Sequence, residues 1–150
     1  MLKTNNDVLV AALSEALETM AFMVALPPED EMMPPIGGMR AQMTFAGPLS
    51  GTIEVVAGQE FRQLLAANVL GLDEGDPEAV RKGIDALQEI VNTTCGILLP
   101  QFATPESDVF EVSLPQAQPF DDEQWAQFLE QGATVLDVEG CAVAARLVTQ

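Results

Sequence analysis

Two hairpin patterns and two long amphipathic stretches predict an α+β domain: an antiparallel or mixed sheet with two long helices packed side by side on one face. The hairpins are read over residues 40–57, around the Gly47-Pro48 turn, and over residues 133–149, around Glu139-Gly140. The amphipathic stretches are residues 6–25 and 76–100, whose apolar residues recur at helical spacing. A chain of 150 residues fits a single domain over 1–150 with a core of its own.

Taken in order, the first helix, 6–25, carries Leu9, Leu13, Leu17, Met20 and Val24 as its core stripe, with Asn5, Asn6 or Asp7 placed to cap it. Residues 26–39 hold four prolines and read as a loop, since proline fits neither a regular helix nor an inner strand. In the first hairpin, Ala41, Met43 and Phe45 alternate on one strand and Leu49, Gly51, Ile53, Val55 and Ala57 on the other. A short helix follows over 59–70, with Phe61, Leu64, Leu65 and Val69 inward and Gly71 closing it. The second long helix runs from the cap Asp76, through Pro77 at its first position, to Pro100, a length of about 33 Å. Residues 101–108 are a polar loop, and 110–114 a strand with Phe110, Val112 and Leu114 on one face. Residues 115–132 carry the weakest pattern; within them Asp121 is placed to cap a short helix of Trp125, Phe128 and Leu129 that Gly132 ends. The strands 133–138 and 141–149 complete the chain.

Composition removes several chemistries. There is no histidine and no tyrosine, so zinc sites, catalytic triads and most general acid–base schemes lack their usual side chains. The two cysteines, Cys95 and Cys141, have no metal-ligand spacing, and Cys95 falls on the core stripe of its helix. Twenty-three acidic residues against six basic ones give a net charge of −17, which disfavours nucleic acid and anionic membrane as partners and favours a partner with a basic rim or a bound divalent cation. Ser14 and Glu15 interrupt the only apolar run near the N-terminus, and no run reaches the length of a membrane span. A cytoplasmic protein is the expectation.

The helix over 76–100 has two distinct stripes. Ile84, Leu87, Val91, Cys95 and Leu98 form the apolar one. Asp85, Glu89, Asn92 and Gly96 form a second, within roughly 60° of one another and about a quarter to a third of a turn away. Spacing alone favours a solvated surface for it, as on any amphipathic helix. Yet Asn and Gly are poor helix formers, and a helix-interior glycine permits close approach by another surface.

The run Asp85-x-x-x-Glu89-x-x-Asn92, followed by Gly96 and Pro100, resembles the signature helix of the CheC/CheX/FliY family of chemotaxis phosphatases. The hairpin residues Phe45, Gly47, Gly51 and Ile53 resemble that family's first hairpin. With an offset of 71, Ser14 falls on Asp85, Glu18 on Glu89 and Ala21 on Asn92, so the first helix reads as the same signature without its amide. That single-site arrangement is similar to CheX.

The resemblance implies a phosphatase that dephosphorylates the phospho-aspartyl receiver of a CheY-like response regulator by positioning an in-line water. It implies Glu89 and Asn92 as catalytic residues, with Asp85 and Gly96 binding the partner. It implies no metal or cofactor of the chain's own, Mg²⁺ on the receiver, and a homodimer. Two alternatives remain: a non-catalytic receiver-binding or flagellar-switch module of the same fold, and a domain serving a response regulator outside chemotaxis.

Overall fold

A computed structural model describes residues 5–150. The elements are α1 (Asn5–Ala21), β1 (Ala25–Leu26), β2 (Met39–Ala46), β3 (Gly51–Ala57), α2 (Gln59–Leu70), α3 (Pro77–Arg81) and α4 (Gly83–Leu98). A 3₁₀ turn (Leu99–Phe102), β4 (Glu111–Val112), β5 (Gln116–Pro119), α5 (Asp122–Glu130), β6 (Thr134–Val138) and β7 (Cys141–Thr149) complete them. The strands form one seven-stranded sheet in the order β1-β6-β7-β3-β2-β4, with β5 also against the outer side of β2. Every pairing is antiparallel. The fold is thus the expected α+β class, with α1 and α4 in contact over one face.

Both hairpins lie where the patterns put them. In the first, Met43 pairs with Ile53 and Phe45 with Gly51. In the second, Glu139 and Gly140 both take positive φ, 54° and 82°, the backbone of a turn whose twist matches the strands it joins. Because alternate strand residues point to opposite faces, Ile53, Val55 and Ala57 enter the main core with Leu13, Leu17, Leu87 and Leu98. Val56 points the other way, into a second cluster with Ala144, Phe120, Trp125 and Phe128.

That second cluster is made by α5, which covers the opposite face of the sheet. Asp121 caps it as expected: its carboxylate accepts from Gln124 N at 2.8 Å, while the Gln124 side chain accepts from Asp121 N at 2.9 Å. On the same face Glu54 is 9% exposed and lies between Arg40 at 3.4 Å and Arg146 at 3.8 Å.

Several expectations need correction. The first helix stops at Ala21, not residue 25. Phe22 turns into the left-handed region at φ 56° and is thrown outward, which lets Met23 fold back into the core with its N–H on the Leu17 carbonyl. Val24, expected in the core stripe, is consequently exposed, and Ala25–Leu26 pair with β6 as an edge strand. Asn5, Asn6 and Asp7 lie inside α1, so its cap falls outside the described residues. Asn6 instead ties α1 to the sheet: its amide donates to Gly132 O and Thr134 Oγ1, and its oxygen accepts from Leu147 N. The strand expected over 110–114 shrinks to Glu111–Val112, and β5 arises where no strand was anticipated.

No helix among the described residues is long and apolar enough to cross a membrane.

Candidate functional site

The segment expected as one helix over 76–100 is three consecutive pieces. Asp76 caps the first, accepting from Glu78 N at 2.9 Å, and Pro77 opens it. Glu78 and Arg81 pair across one turn at 2.6 Å, which holds the Glu78 carboxyl below its ordinary range. The helix then loosens at Lys82 (φ −93°, ψ 3°), although Lys82 N still donates to Glu78 O and Ala86 N to Lys82 O.

A glycine follows the loosened turn. Gly83 is buried against α2, where an added Cβ would sit 3.0 Å from Arg62 Cβ. Arg62 is itself fixed, donating to Gly37 O at 2.6 Å and Ala57 O at 3.1 Å, and burial lowers its pKa. α4 begins at Gly83, packed against α2. At the far end Pro100 does not stop α4 directly but lies in the 3₁₀ turn that extends it.

From Gly83 on, the faces are sharply divided. Leu87, Ile90, Val91, Cys95 and Leu98 are buried, and Thr94 joins them with its hydroxyl on the Ile90 carbonyl at 2.6 Å. Ile84, expected in that stripe, is 41% exposed instead. The buried stripe is therefore centred on Leu87, Thr94 and Leu98, and the polar stripe stands about half a turn away, farther round than expected.

Asp85, Glu89, Asn92 and Gly96 are all exposed and share that outward face. Among the described residues, Glu89 and Asn92 make no side-chain hydrogen bond, so the carboxylate and the amide are available to a partner. Nothing lies within 4 Å of a Cβ built on Gly96, so space above the helix is open one turn past Asn92. The hydrogen bond from Arg81 to Glu78 is the main cause that raises the Arg81 pKa, and Asp85 adds a smaller electrostatic contribution. In chemical terms the face offers an acceptor, a group that both donates and accepts, and a bare stretch of backbone.

One flank of this face was not legible in the sequence. Gln88 donates to Pro115 O at 3.3 Å and fastens the outer margin of the sheet to α4, beside Glu89. Leu114, next to Pro115, is 83% exposed. A glutamine between two helix faces gives no signal of such a tie.

On α1, Glu18 is exposed and Ser14 half-buried, but Ala21 is fully buried, and Asn68 of α2 donates to its carbonyl at 2.8 Å. The first helix does not repeat the exposed face of α4 at its third position.

No family model matches the sequence, and no curated protein matches it. Solved structures do. A protein assigned to chemotaxis from Desulfovibrio vulgaris Hildenborough is 18% identical and superposes with a TM-score of 0.70, covering 96% of this chain and 95% of that one. The chemotaxis protein CheX from Desulfovibrio desulfuricans is 15% identical, with a TM-score of 0.66 over 96% of this chain and 97% of the other. CheX in the CheX–CheY–BeF₃–Mg²⁺ complex from Borrelia burgdorferi is 17% identical, with a TM-score of 0.64 over 96% of both chains. The chain has the fold of these chemotaxis proteins.

Proposed function

We propose that this chain is a CheX-like phosphatase that removes the phosphoryl group from the aspartate of a CheY-like receiver. The observation that carries the proposal is the outward face of α4, where Glu89 and Asn92 stand exposed one turn apart with no internal side-chain partner among the described residues. Support also comes from the shared fold, one representative of which is a CheX solved with CheY.

A phosphoaspartate is an acyl phosphate, already prone to hydrolysis. What a second protein adds is chiefly position: an attacking water held in line with phosphorus and the leaving carboxylate. Asn92 suits that task, because its amide can accept from the water while donating to a phosphoryl oxygen. Glu89 engages a cationic side chain at the receiver's site through a charge-assisted bond. Asp85, one turn earlier, adds to docking, and the bare backbone at Gly96 leaves room for the receiver's loops. Mg²⁺ belongs to the receiver, and the phosphatase supplies no metal or cofactor. The water attacks phosphorus, the P–O bond to the aspartate breaks, and the aspartate leaves as a carboxylate.

The same reading places the chain in the cytoplasm with its receiver, as a homodimer. Val109, Val112 and Leu114 are exposed apolar side chains in the segment that runs along the outer side of β2 and suit such pairing. Light scattering at high micromolar concentration should return twice the monomer mass.

The test is single-turnover loss of phosphate from a pre-phosphorylated receiver with Mg²⁺, run beside a binding titration with a non-hydrolysable mimic. Acceleration by the wild-type chain supports the phosphatase. Tight binding without acceleration would make it a receiver-binding module instead.

A further inference from the structure

A second feature lies away from α4. The proline-rich segment 26–36, the first turn of α2 and the β6–β7 turn border an open hollow of about 800 Å³, and none of its lining residues belongs to α4. That volume lies within the range of small-molecule pockets, roughly 300–1,000 Å³. We propose that this hollow binds a small organic cation with an apolar body, an alkylamine or arylalkylamine in chemical class.

The lining carries two kinds of chemistry. Met32, Phe61 and Ala142 supply apolar wall, and Met32 is half-buried against the second core cluster. Glu29, Asp30, Glu31, Glu60 and Asp137 supply carboxylates, and among the described residues no lysine or arginine lines the hollow. An apolar body therefore gains burial, a cation gains opposite charge at the rim, and an anion is repelled. The thiol of Cys141, also in the lining, reports the same field. Burial pushes it up to about 11, and Glu60, Asp137 and Glu139 add to the shift.

The hollow is held open before any ligand arrives. Four prolines restrict the covering segment, Gln59 N donates to Ile36 O at 3.0 Å, and Arg62 holds Gly37 O. A preformed site avoids the ordering cost that a collapsed loop would impose on binding. Methionine side chains, flexible and polarizable, adapt to bodies of different shape.

The experiment titrates phenylbutylammonium, phenylbutanol and phenylbutyrate in parallel onto the full chain, by calorimetry and by the ε-methyl NMR signals of Met32 and Met33. The ammonium should saturate, shift both methyls and bind about tenfold more tightly than the alcohol, while the carboxylate does not bind. The double variant Glu60→Gln/Asp137→Asn should lose about tenfold in affinity for the ammonium and none for the alcohol. Equal affinity for ammonium and alcohol would overturn the proposal. So would unchanged affinity in the double variant, or no saturable binding at all. Saturable binding that leaves both methyls unmoved would equally overturn it, since it would report diffuse attraction to a surface of net charge −17.

Discussion

Ala21 and Asn92 align by the offset of 71 but stand in opposite environments: Ala21 ends α1 fully buried, its carbonyl taken by Asn68, whereas Asn92 lies within α4, exposed on its outward face. A side-chain amide at the first position would have no solvent to enter and no receiver to reach. The asymmetry between the helices therefore goes beyond one missing amide.

Restoring that amide should fail. Ala21→Asn should destabilise the fold by about 1–3 kcal/mol, the cost of a buried amide with poor partners, and leave phosphate release unchanged. Glu18→Ala, at an exposed site, should shift stability by no more than about 0.5 kcal/mol and leave turnover intact. Urea denaturation and the single-turnover assay check both. A loss of turnover in Glu18→Ala as large as in the α4 variants would move the active face to α1.

On α4 the two polar side chains should separate by role. Asn92→Ala keeps the helix, since alanine is the better helix former, and should lower the hydrolysis rate by about 10²–10³-fold while affinity for a phospho-receiver mimic holds. Glu89→Ala should weaken both rate and affinity, because it deletes a charge-assisted contact. If Asn92→Ala hydrolyses as fast as wild type, water positioning is not its task.

Gly96 permits a test in which stability and docking move in opposite directions. It is exposed, sits inside α4, and a Cβ there meets nothing within 4 Å. Gly96→Ala should raise stability by about 1 kcal/mol. Gly96→Gln should fill the space above the helix and weaken receiver binding while the fold remains at least as stable. Thermal melts and the binding titration read the two effects; unchanged receiver affinity in Gly96→Gln would remove that position from the docking surface.

The alkaline limb of stability should belong to the two thiols. Burial raises both Cys95 and Cys141 from an ordinary 9.0 to about 11. The native state then holds protons that the unfolded chain releases, so stability should be flat below about pH 9 and fall as pH rises from about 9 to about 11. The chain has no tyrosine, and its only lysines are Lys3 and Lys82, which keeps this limb uncrowded. Urea midpoints measured under reductant across that range check the slope. The Cys95→Ala/Cys141→Ala double variant should flatten it.

The features that were legible in the sequence are those with a strong local cause. Alternation fixed the faces of β2, and Gly71 and Asp121 marked the end of α2 and the start of α5. The spacing of Asp85, Glu89, Asn92 and Gly96 put all four on one exposed face. What was missed depends on distant partners. Gln116–Pro119 becomes a strand because β2 offers an open edge, not because of any period of its own. The long helix loosens at Lys82, and the glycine that follows packs against Arg62, more than twenty residues away. Ile84 shared the helical period of the core residues, yet it falls at the margin of the packed face. That α5 would shelter the far side of the sheet was equally invisible, since its Trp125 and Phe128 name a buried face without saying which surface buries it.

That two-sided shelter orders the molecule in time. β3 and β7 are flanked by strands on both edges, and their middles are covered above and below, at Val55 and Val56 on β3 and at Val143 and Ala144 on β7. Their amide protons should exchange with solvent only when the whole fold opens. β1, β4 and β5 each hold a single neighbouring strand and should open locally at lower cost. A slow-exchanging spine with quick-exchanging margins lets the sheet's rim adjust to whatever settles on it while the platform beneath α4 keeps its shape.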